Sequence, residues 1–211
     1  MKKIIICILF LTITLGCFAG CGAEKKKHAP ILPPTRVGKN AMEITIYTPP
    51  LDELIETSNS AYIIIGDWLG EEGRYSFFEA TVIDLVKGDL PEKIVVQQYG
   101  SSLEYKSGTT IFTYGNELFL FLKPIESEDY SNVYRIEGSY LMINDVAELD
   151  GVRYVLSRFL GFKYPIDNYA DDQELRSSLT NVLLEKDSAL GYPYYGIFLY
   201  DDFVNMISKG E

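Results

Sequence analysis

The sequence predicts a mainly β (α+β) domain, built as a small antiparallel barrel or meander with a short N-terminal helix and C-terminal helices. Two observations lead to this prediction. Short segments rich in β-branched and aromatic residues recur through the middle of the chain, and glycine- or proline-containing turn signals separate them. Helical spacing of apolar residues is found only towards the two ends of this region. Strands in series joined by short turns favour antiparallel pairing.

Composition and charge limit the classes of protein that this chain could be. The chain has 211 residues, of which 47% are apolar, enough for one domain with a proper core. Charged residues make up 23%, as in ordinary soluble proteins, so global disorder is not expected. The net charge is −11. Because an acidic surface repels phosphate, we expect no nucleic-acid partner.

The N-terminal segment 1–20 has the pattern of a signal peptide. Lys2 and Lys3 precede an apolar run over 4–19. Spanning a bilayer takes about 20 apolar residues, so the run is short for a permanent span and typical of an exported leader. It ends in the sequence Phe18-Ala19-Gly20-Cys21, which resembles the lipobox of bacterial lipoprotein precursors.

The lipobox resemblance implies that the chain is cut before Cys21, which then carries diacylglycerol and inserts in a membrane. We therefore expect an exported protein, anchored by lipid on the outer face of the cytoplasmic membrane or the periplasmic side of an envelope membrane. The alternatives are lipidation at Cys17, a membrane-retained signal anchor and a buried N-terminal helix. If Cys21 is acylated and Cys7 and Cys17 leave with the signal, the folded domain has no thiol.

Segment 21–41 is predicted to be a flexible linker, rich in lysine and proline and without a hydrophobic period. It contains His28, the one histidine of the chain. The folded part therefore has neither cysteine nor histidine. This excludes disulfides, thiolate or histidine zinc sites, cysteine nucleophiles and Ser-His-Asp hydrolysis, and no cofactor is expected.

The β-barrel-like domain is assigned to 42–164. A short strand is predicted at 43–47, and Thr48-Pro49-Pro50 predicts the start of a helix with Leu51, Leu54 and Ile55 on its apolar face. The remaining strands are predicted at 61–69, 75–86, 93–99, 117–123 (stopping at Pro124), 133–136, 140–143 and 152–156, with a further short strand considered at 110–113. Turns are predicted at 70–74, 87–91, 138–139 and 150–151.

Segment 165–211 is assigned to a helical C-terminal extension packed on the barrel. A helix is predicted over 171–187, with Asp171 and Glu174 as its capping box. Its apolar stripe is Leu175, Leu179, Val182 and Leu183. A loop and a strand follow in 191–200, and a last helix over 201–209 packs through Phe203, Met206 and Ile207.

Four segments in the barrel region carry a family resemblance: 61–66, 80–88, 94–96 and 115–122, the last reading Gly-Asn-Glu-Leu-Phe-Leu-Phe-Leu. Their order resembles the OB-fold-like barrels of the netrin-module and metalloproteinase-inhibitor type, and related domains of uncharacterised bacterial lipoproteins. The resemblance implies an OB-like barrel. Inhibitors of that type use a free N-terminal cysteine to chelate zinc, whereas Cys21 would be acylated, so inhibitor activity is not carried over.

Three sets of residues are candidates for function. Tyr192, Tyr194 and Tyr195 could form a binding surface, because tyrosine suits wet interfaces and sugar stacking. The alternative is that these tyrosines cover an end of the barrel and pack on the helix. The oxygen ligands Asp167, Asn168, Asp171 and Asp172 could bind calcium, although the glycine and terminal glutamate of an EF-hand loop are missing and helix capping explains these residues. Asp201 and Asp202 have the same explanation, or could act as paired carboxylates.

The function predicted from the sequence is a non-catalytic binding module, anchored through Cys21, with an envelope protein or a glycan as partner. The alternative is an envelope hydrolase that depends on carboxylates. Trp68, the one tryptophan of the chain, lies in a core-like strand and is expected to be structural.

Overall fold

The computed structural model describes residues 49–100, 112–137, 143–158, 164–185 and 194–210. Eight strands and three helices follow one another in these ranges. The strands are β1 (Asn59–Glu72), β2 (Tyr75–Lys87), β3 (Lys93–Tyr99), β4 (Glu117–Ile125), β5 (Val133–Ile136), β6 (Asn144–Leu149), β7 (Val152–Ser157) and β8 (Gly196–Leu199). The helices are α1 (Leu51–Thr57), α2 (Gln173–Glu185) and α3 (Tyr200–Lys209). The predicted mainly β class, with a short N-terminal helix and C-terminal helices, is confirmed.

Five of the strands form a partial ring. They pair in the cyclic order β1–β2–β3–β5–β4–β1, and every pairing is antiparallel except that between β3 and β5. The first half of β1 pairs with β2 on one side and with β4, up to Ile64, on the other. Ile65 still exchanges backbone hydrogen bonds with Gly115 and Asn116, just before β4. From Trp68 onwards β1 pairs with β2, so the ring is closed at one end and open at the other.

The remaining strands extend the sheet away from the ring. Leu118 and Phe119 of β4 pair with β6, which forms a hairpin with β7, and β8 pairs with the far edge of β7. The turn between β6 and β7 falls at Asp150 and Gly151, as predicted. Both residues have positive φ, 52° and 78°, which a two-residue hairpin turn of type I′ requires.

Three apolar clusters hold these elements together. Alternation along β4 feeds two of them, since Leu118, Leu120 and Leu122 face the interior of the ring while Phe119 and Phe121 face α1 and α3. The third cluster packs α2 against the opposite face of β6, β7 and β8, through Leu179 and Leu183. The β6–β7–β8 sheet is thus covered by a helix on each face.

The predicted apolar faces of the helices are confirmed. Leu54 and Ile55 of α1 are buried, as are Phe203, Met206 and Ile207 of α3. In α2, Leu179 and Leu183 are buried, and Leu175 and Val182 are partly buried against the same cluster.

The structure differs from the sequence prediction at several strand boundaries. β1 runs on to Glu72, so the first turn is confined to Gly73 and Arg74 instead of occupying 70–74. β4 continues through Pro124, which was expected to end it. Pro124 pairs with Tyr134 of β5, while the pairing of β4 with β1 has already ended at Leu122. A proline is tolerated there because no β1 residue needs its missing amide.

The strand predicted at 140–143 is wrong at Ile143, the one residue of this segment that the structure describes. Residues 140–142 lie outside the described ranges, Ile143 is not in a strand, and β6 begins at Asn144. The sequence pattern did not predict β6 because its acidic residues Asp145 and Glu148 interrupt the apolar alternation. Two other predictions lie outside the described residues, namely the strand at 43–47 and the turn at 138–139. Of the short strand considered at 110–113, only Phe112 and Thr113 are described, and they are not in a strand.

Candidate functional site

An exposed pair of tyrosines lies where β2 begins and β3 ends. Tyr75 and Tyr99 are directly opposite each other in the antiparallel ladder. Their rings form an edge-to-face pair with centroids 5.8 Å apart and an interplanar angle of 79°. Tyr75 is 41% exposed and Tyr99 is 49% exposed. Two large aromatic side chains are therefore held in a fixed mutual geometry on the outside of the ring.

A second aromatic pair continues this surface. Phe77 lies two residues beyond Tyr75, on the same side of β2, and is covered by the ring of Tyr130 with centroids 5.1 Å apart. Tyr130 comes from the connection between β4 and β5, where Ser127 Oγ accepts hydrogen bonds from the backbone amides of Asp129 and Tyr130. We call Tyr75, Tyr99, Phe77 and Tyr130 the aromatic face.

The close packing of Tyr130 explains one glycine of β1. A Cβ atom placed on Gly70 would lie 3.1 Å from the Tyr130 hydroxyl oxygen. The absence of a side chain at this position therefore lets Tyr130 reach across the outer side of the ring.

Acidic side chains border the aromatic face. Glu72 is the partner of Tyr75 in the β1–β2 ladder, and Glu79 follows Phe77 on the same side of β2. Glu128 and Asp129 directly precede Tyr130. All four are exposed. Arg74, directly before Tyr75, is also exposed, but the four carboxylates outnumber it. This arrangement disfavours an anionic ligand and leaves hydrogen-bond acceptors beside the rings.

The structure separates the three tyrosines that the sequence singled out. Tyr192 lies outside the described residues. Tyr194 is only 6% exposed, and its hydroxyl donates a 3.0 Å hydrogen bond to Asp145 Oδ2. Tyr195 is 43% exposed, and its amide donates to the carbonyl of Ser157. Of the pair that the structure describes, Tyr195 is the one with its ring accessible to a partner.

Tyr194 belongs to a buried charge cluster between β6, β7 and β8. The Arg158 guanidinium donates a hydrogen bond to Asp145 Oδ2, and both side chains are almost fully buried. Burial raises the pKa of Asp145, and the charge of Arg158 opposes that rise. Burial and the nearby Asp145 carboxylate raise the pKa of Tyr194 above its ordinary value. At 1% exposure Asp145 is poorly placed to meet a substrate, so we interpret the cluster as a structural tie.

The four candidate calcium ligands occupy the segment before α2. Asn168 Oδ1 accepts hydrogen bonds from the amides of Ala170 and Ile197, and its Nδ2 donates to the carbonyl of Tyr195. Asp172 Oδ1 accepts from the amides of Glu174 and Leu175, so Asp172 caps α2 instead of Asp171. Two of the four side chains thus bind the backbone. Within the described ranges, no group of three or more histidine, cysteine or carboxylate side chains is arranged to hold a metal ion.

The remaining residues that the sequence singled out are Asp201, Asp202, Trp68 and Cys21. Asp201 and Asp202 are exposed in the first turn of α3, where acidic side chains complement the helix dipole. Trp68 is partly buried against the ring core. Cys21, the predicted lipidation site, lies outside the described residues, and in the part that the structure describes no helix is long and apolar enough to cross a membrane.

Comparisons with known proteins found no matching family model, no similar curated protein and no similar solved structure. The aromatic face is therefore identified as a candidate site from its geometry alone.

Sequence reasoning did not single out the aromatic face, although one signal was present. Tyr75 begins one predicted strand and Tyr99 ends the next. In an antiparallel hairpin the start of one strand lies opposite the end of its partner, so the two tyrosines could have been paired. Tyr130 and Phe77 had no such signal, because their contact joins a loop to a strand that is distant in sequence.

Proposed function

We propose that this chain is a non-catalytic binding module that recognises a neutral glycan through the aromatic face. Lipid on Cys21 would hold the module at the outer surface of an envelope membrane. The observation that carries the proposal is the exposed Tyr75–Tyr99 pair, fixed across two paired strands of the ring.

The chemistry of the aromatic face favours a sugar ligand. Exposed tyrosine rings offer flat apolar surfaces that pack against the C–H faces of sugar rings, and their hydroxyls remain available for hydrogen bonds. The neighbouring carboxylates Glu72 and Glu79 can accept hydrogen bonds from sugar hydroxyls. Because the two tyrosines belong to paired strands, little conformational entropy is lost when a ligand binds.

The strand order of the ring supports the same function. The cyclic order β1–β2–β3–β5–β4 is similar to that of OB barrels, the architecture that we expected from residues 61–122. OB barrels bind oligonucleotides and oligosaccharides on the β2–β3 surface and on the loops that follow β1 and β4. The aromatic face lies on this surface, with Tyr130 in the β4–β5 connection. Its acidic border favours the uncharged ligand over the polyanionic one.

The predicted linker agrees with a module that works at a distance from its anchor. Residues 21–41 contain prolines and no apolar period, so they would act as a spacer between lipid and domain. The three lysines at 25–27 would lie close to the headgroups.

The proposal is tested by glycan binding to the full chain in mild detergent. Calorimetric titration with neutral hexasaccharides of glucose and of N-acetylglucosamine is compared for the wild type and for the double variant Tyr75→Ala/Tyr99→Ala. Aromatic contacts contribute about 0.5–1.5 kcal/mol each beyond area burial, so the loss of two removes about 1–3 kcal/mol and we expect the affinity to fall by at least roughly fivefold.

The matched control is Tyr195→Ala, since Tyr195 is about as exposed as Tyr75 and Tyr99 but lies beside β8. We expect this variant to bind like the wild type. Equal losses in the control and the double variant would reject the aromatic face as the site. Absence of hexasaccharide binding, together with crosslinking of an envelope protein at position 75 or 99, would replace the glycan with a protein ligand.

A further inference from the structure

A second aromatic cluster, which shares no residue with the aromatic face, contacts the side chain of Arg153. Tyr62 of β1 and Tyr200 of α3 form an edge-to-face pair with ring centroids 5.7 Å apart. The Arg153 guanidinium carbon lies 5.4 Å from the centre of the Tyr62 ring and 5.0 Å from that of Tyr200. Both distances are within the range of a cation–π interaction, so one guanidinium contacts two aromatic rings.

Both tyrosines are also bound to carboxylates. The Tyr62 hydroxyl donates a 2.5 Å hydrogen bond to Glu117 Oε2, and the Tyr200 hydroxyl donates a 2.8 Å hydrogen bond to Asp84 Oδ2. Donation to an anion pushes electron density into the phenol ring, which strengthens its attraction for a cation. Each tyrosine is 5% exposed with Arg153 over it, and both pack in the second apolar cluster, which holds them in place.

The local charge is negative overall. Glu148 lies opposite Arg153 in the β6–β7 ladder and, like Glu117, acts electrostatically on the Tyr62 hydroxyl. Asp84 and Glu117 thus accept from the two tyrosine hydroxyls, and Glu148 is the ladder neighbour of the guanidinium that lies over the rings. The observed position of that guanidinium shows that the rings and carboxylates suit a planar organic cation, which a group of acidic residues alone would not show.

Arg153 itself is an exposed residue near the end of the β6–β7 hairpin, two residues after the Gly151 turn. Its long side chain can leave the rings for solvent at a small cost in free energy, because an exposed cation–π contact shifts an equilibrium only about two- to fivefold. The buried rings and their hydrogen-bonded carboxylates belong to other elements and would remain in place.

We propose that Tyr62, Tyr200, Asp84, Glu117 and Glu148 form a recognition site for an arginine side chain of a peptide, and that Arg153 is its intramolecular occupant. A partner's arginine would exchange with Arg153 and take the same position over the two rings. Arginine is favoured over lysine because a planar guanidinium stacks on aromatic surfaces.

The test uses a variant that vacates the site. Full-length Arg153→Ala in mild detergent is titrated with acetyl-Gly-Arg-Gly-amide, and with the same peptide carrying citrulline, which has the shape of arginine without the charge. We expect Arg153→Ala to bind the arginine peptide about three- to sixfold more tightly than the wild type does, because the displaced intramolecular contact is itself weak, and citrulline to bind neither protein measurably. In the wild type, the arginine peptide should shift the NMR signal of the Arg153 Nε–H group.

The matched control is Arg153→Ala combined with Glu117→Gln, which keeps both rings and removes one carboxylate. We expect it to bind the arginine peptide less tightly than Arg153→Ala alone. Circular dichroism establishes that each variant is folded, and Arg153→Gln replaces Arg153→Ala if the alanine variant is not. Equal binding of arginine and citrulline peptides, or no binding by a folded Arg153 variant, would show that Arg153 only ties the hairpin to α3 and would overturn the proposal.

Discussion

Tyrosine, with 16 residues in the chain, takes opposite roles according to where each side chain lies. Tyr62, Tyr194 and Tyr200 are buried, and each hydroxyl donates to a carboxylate. Tyr75 and Tyr99 are exposed and face each other. An apolar ring with a polar tip fits both environments, so residue type alone could not separate them.

Tyr164, which is partly buried against Phe198 and Phe203 of the second apolar cluster, predicts a loss of stability at alkaline pH. Burial raises the pKa of Tyr164 to about 12 from an ordinary value of 10.0. Between these values the unfolded chain releases the proton while the folded protein keeps it. The free energy of unfolding therefore falls as pH rises, by up to about 1.4 kcal/mol per pH unit for each such tyrosine, and the effect is absent below pH 10.

Urea denaturation of the wild type and of Tyr164→Phe between pH 9 and pH 11.5 measures this effect. The variant should show a shallower fall above pH 10, because it lacks one of the protons that unfolding releases. Parallel curves for the two proteins would contradict the assignment of a raised pKa to Tyr164.

Elements are set partly by local sequence and partly by their neighbours. The helices lie close to their predicted positions because apolar spacing acts within a few residues. β6 was missed because Asp145 and Glu148 break the apolar alternation of its sequence, yet Asp145 is buried against Arg158. The sequence prediction ended β4 before Pro124 because proline usually interrupts a strand. Pro124 is accommodated because the pairing of β4 with β1 has already ended at Leu122, which the local sequence does not reveal.

The N-terminus of α2 gives a direct test of an element boundary. Asp172 Oδ1 accepts hydrogen bonds from two amides of the first turn, whereas the sequence favoured Asp171 as the cap. We expect Asp172→Ala to lower the free energy of unfolding by about 1 kcal/mol, because it leaves these amides without their capping acceptor. Chemical denaturation measures the change.

Asp171→Ala is the matched control, since it removes a neighbouring exposed carboxylate. Its effect should stay within about 0.5 kcal/mol, as for ordinary surface substitutions. A larger loss for Asp171→Ala than for Asp172→Ala would assign the cap to Asp171 after all.

The whole molecule is held together by β4, which is shared between two cores. Its even-numbered leucines fill the ring and its phenylalanines pack against α1 and α3. Since one strand supplies both clusters, neither core can lose its packing without disturbing the other. The third cluster is joined to the second through the two faces of β6 and β7.

We therefore expect the described fold to unfold in one cooperative transition. Leu120→Ala in the ring core should cost about 2–5 kcal/mol and Phe119→Ala in the second core about 3–5 kcal/mol. Trp68 fluorescence, which reports on the ring, and far-ultraviolet circular dichroism should shift together in both variants. Val152→Ala, at an exposed position, should leave the midpoint nearly unchanged. Separate transitions for the two probes would mean that the cores unfold independently.

The sequence by itself determined the features that depend on near neighbours in the chain. These are the mainly β class, most strand positions, the three helices with their apolar faces, the Asp150–Gly151 turn and the acidic charge. The expectation of a lipidated Cys21 also comes from local sequence and remains a prediction.

Only the tertiary structure decided which distant residues meet. The pairing of β1 with β4, the stacking of Tyr130 on Phe77 and the position of Arg153 over Tyr62 and Tyr200 all join segments far apart in sequence. Such contacts depend on the register of whole strands and on the closure of long loops, which local patterns do not encode. For this reason the chain's many tyrosines were visible in its composition, whereas the two surfaces on which they gather became visible only in the fold.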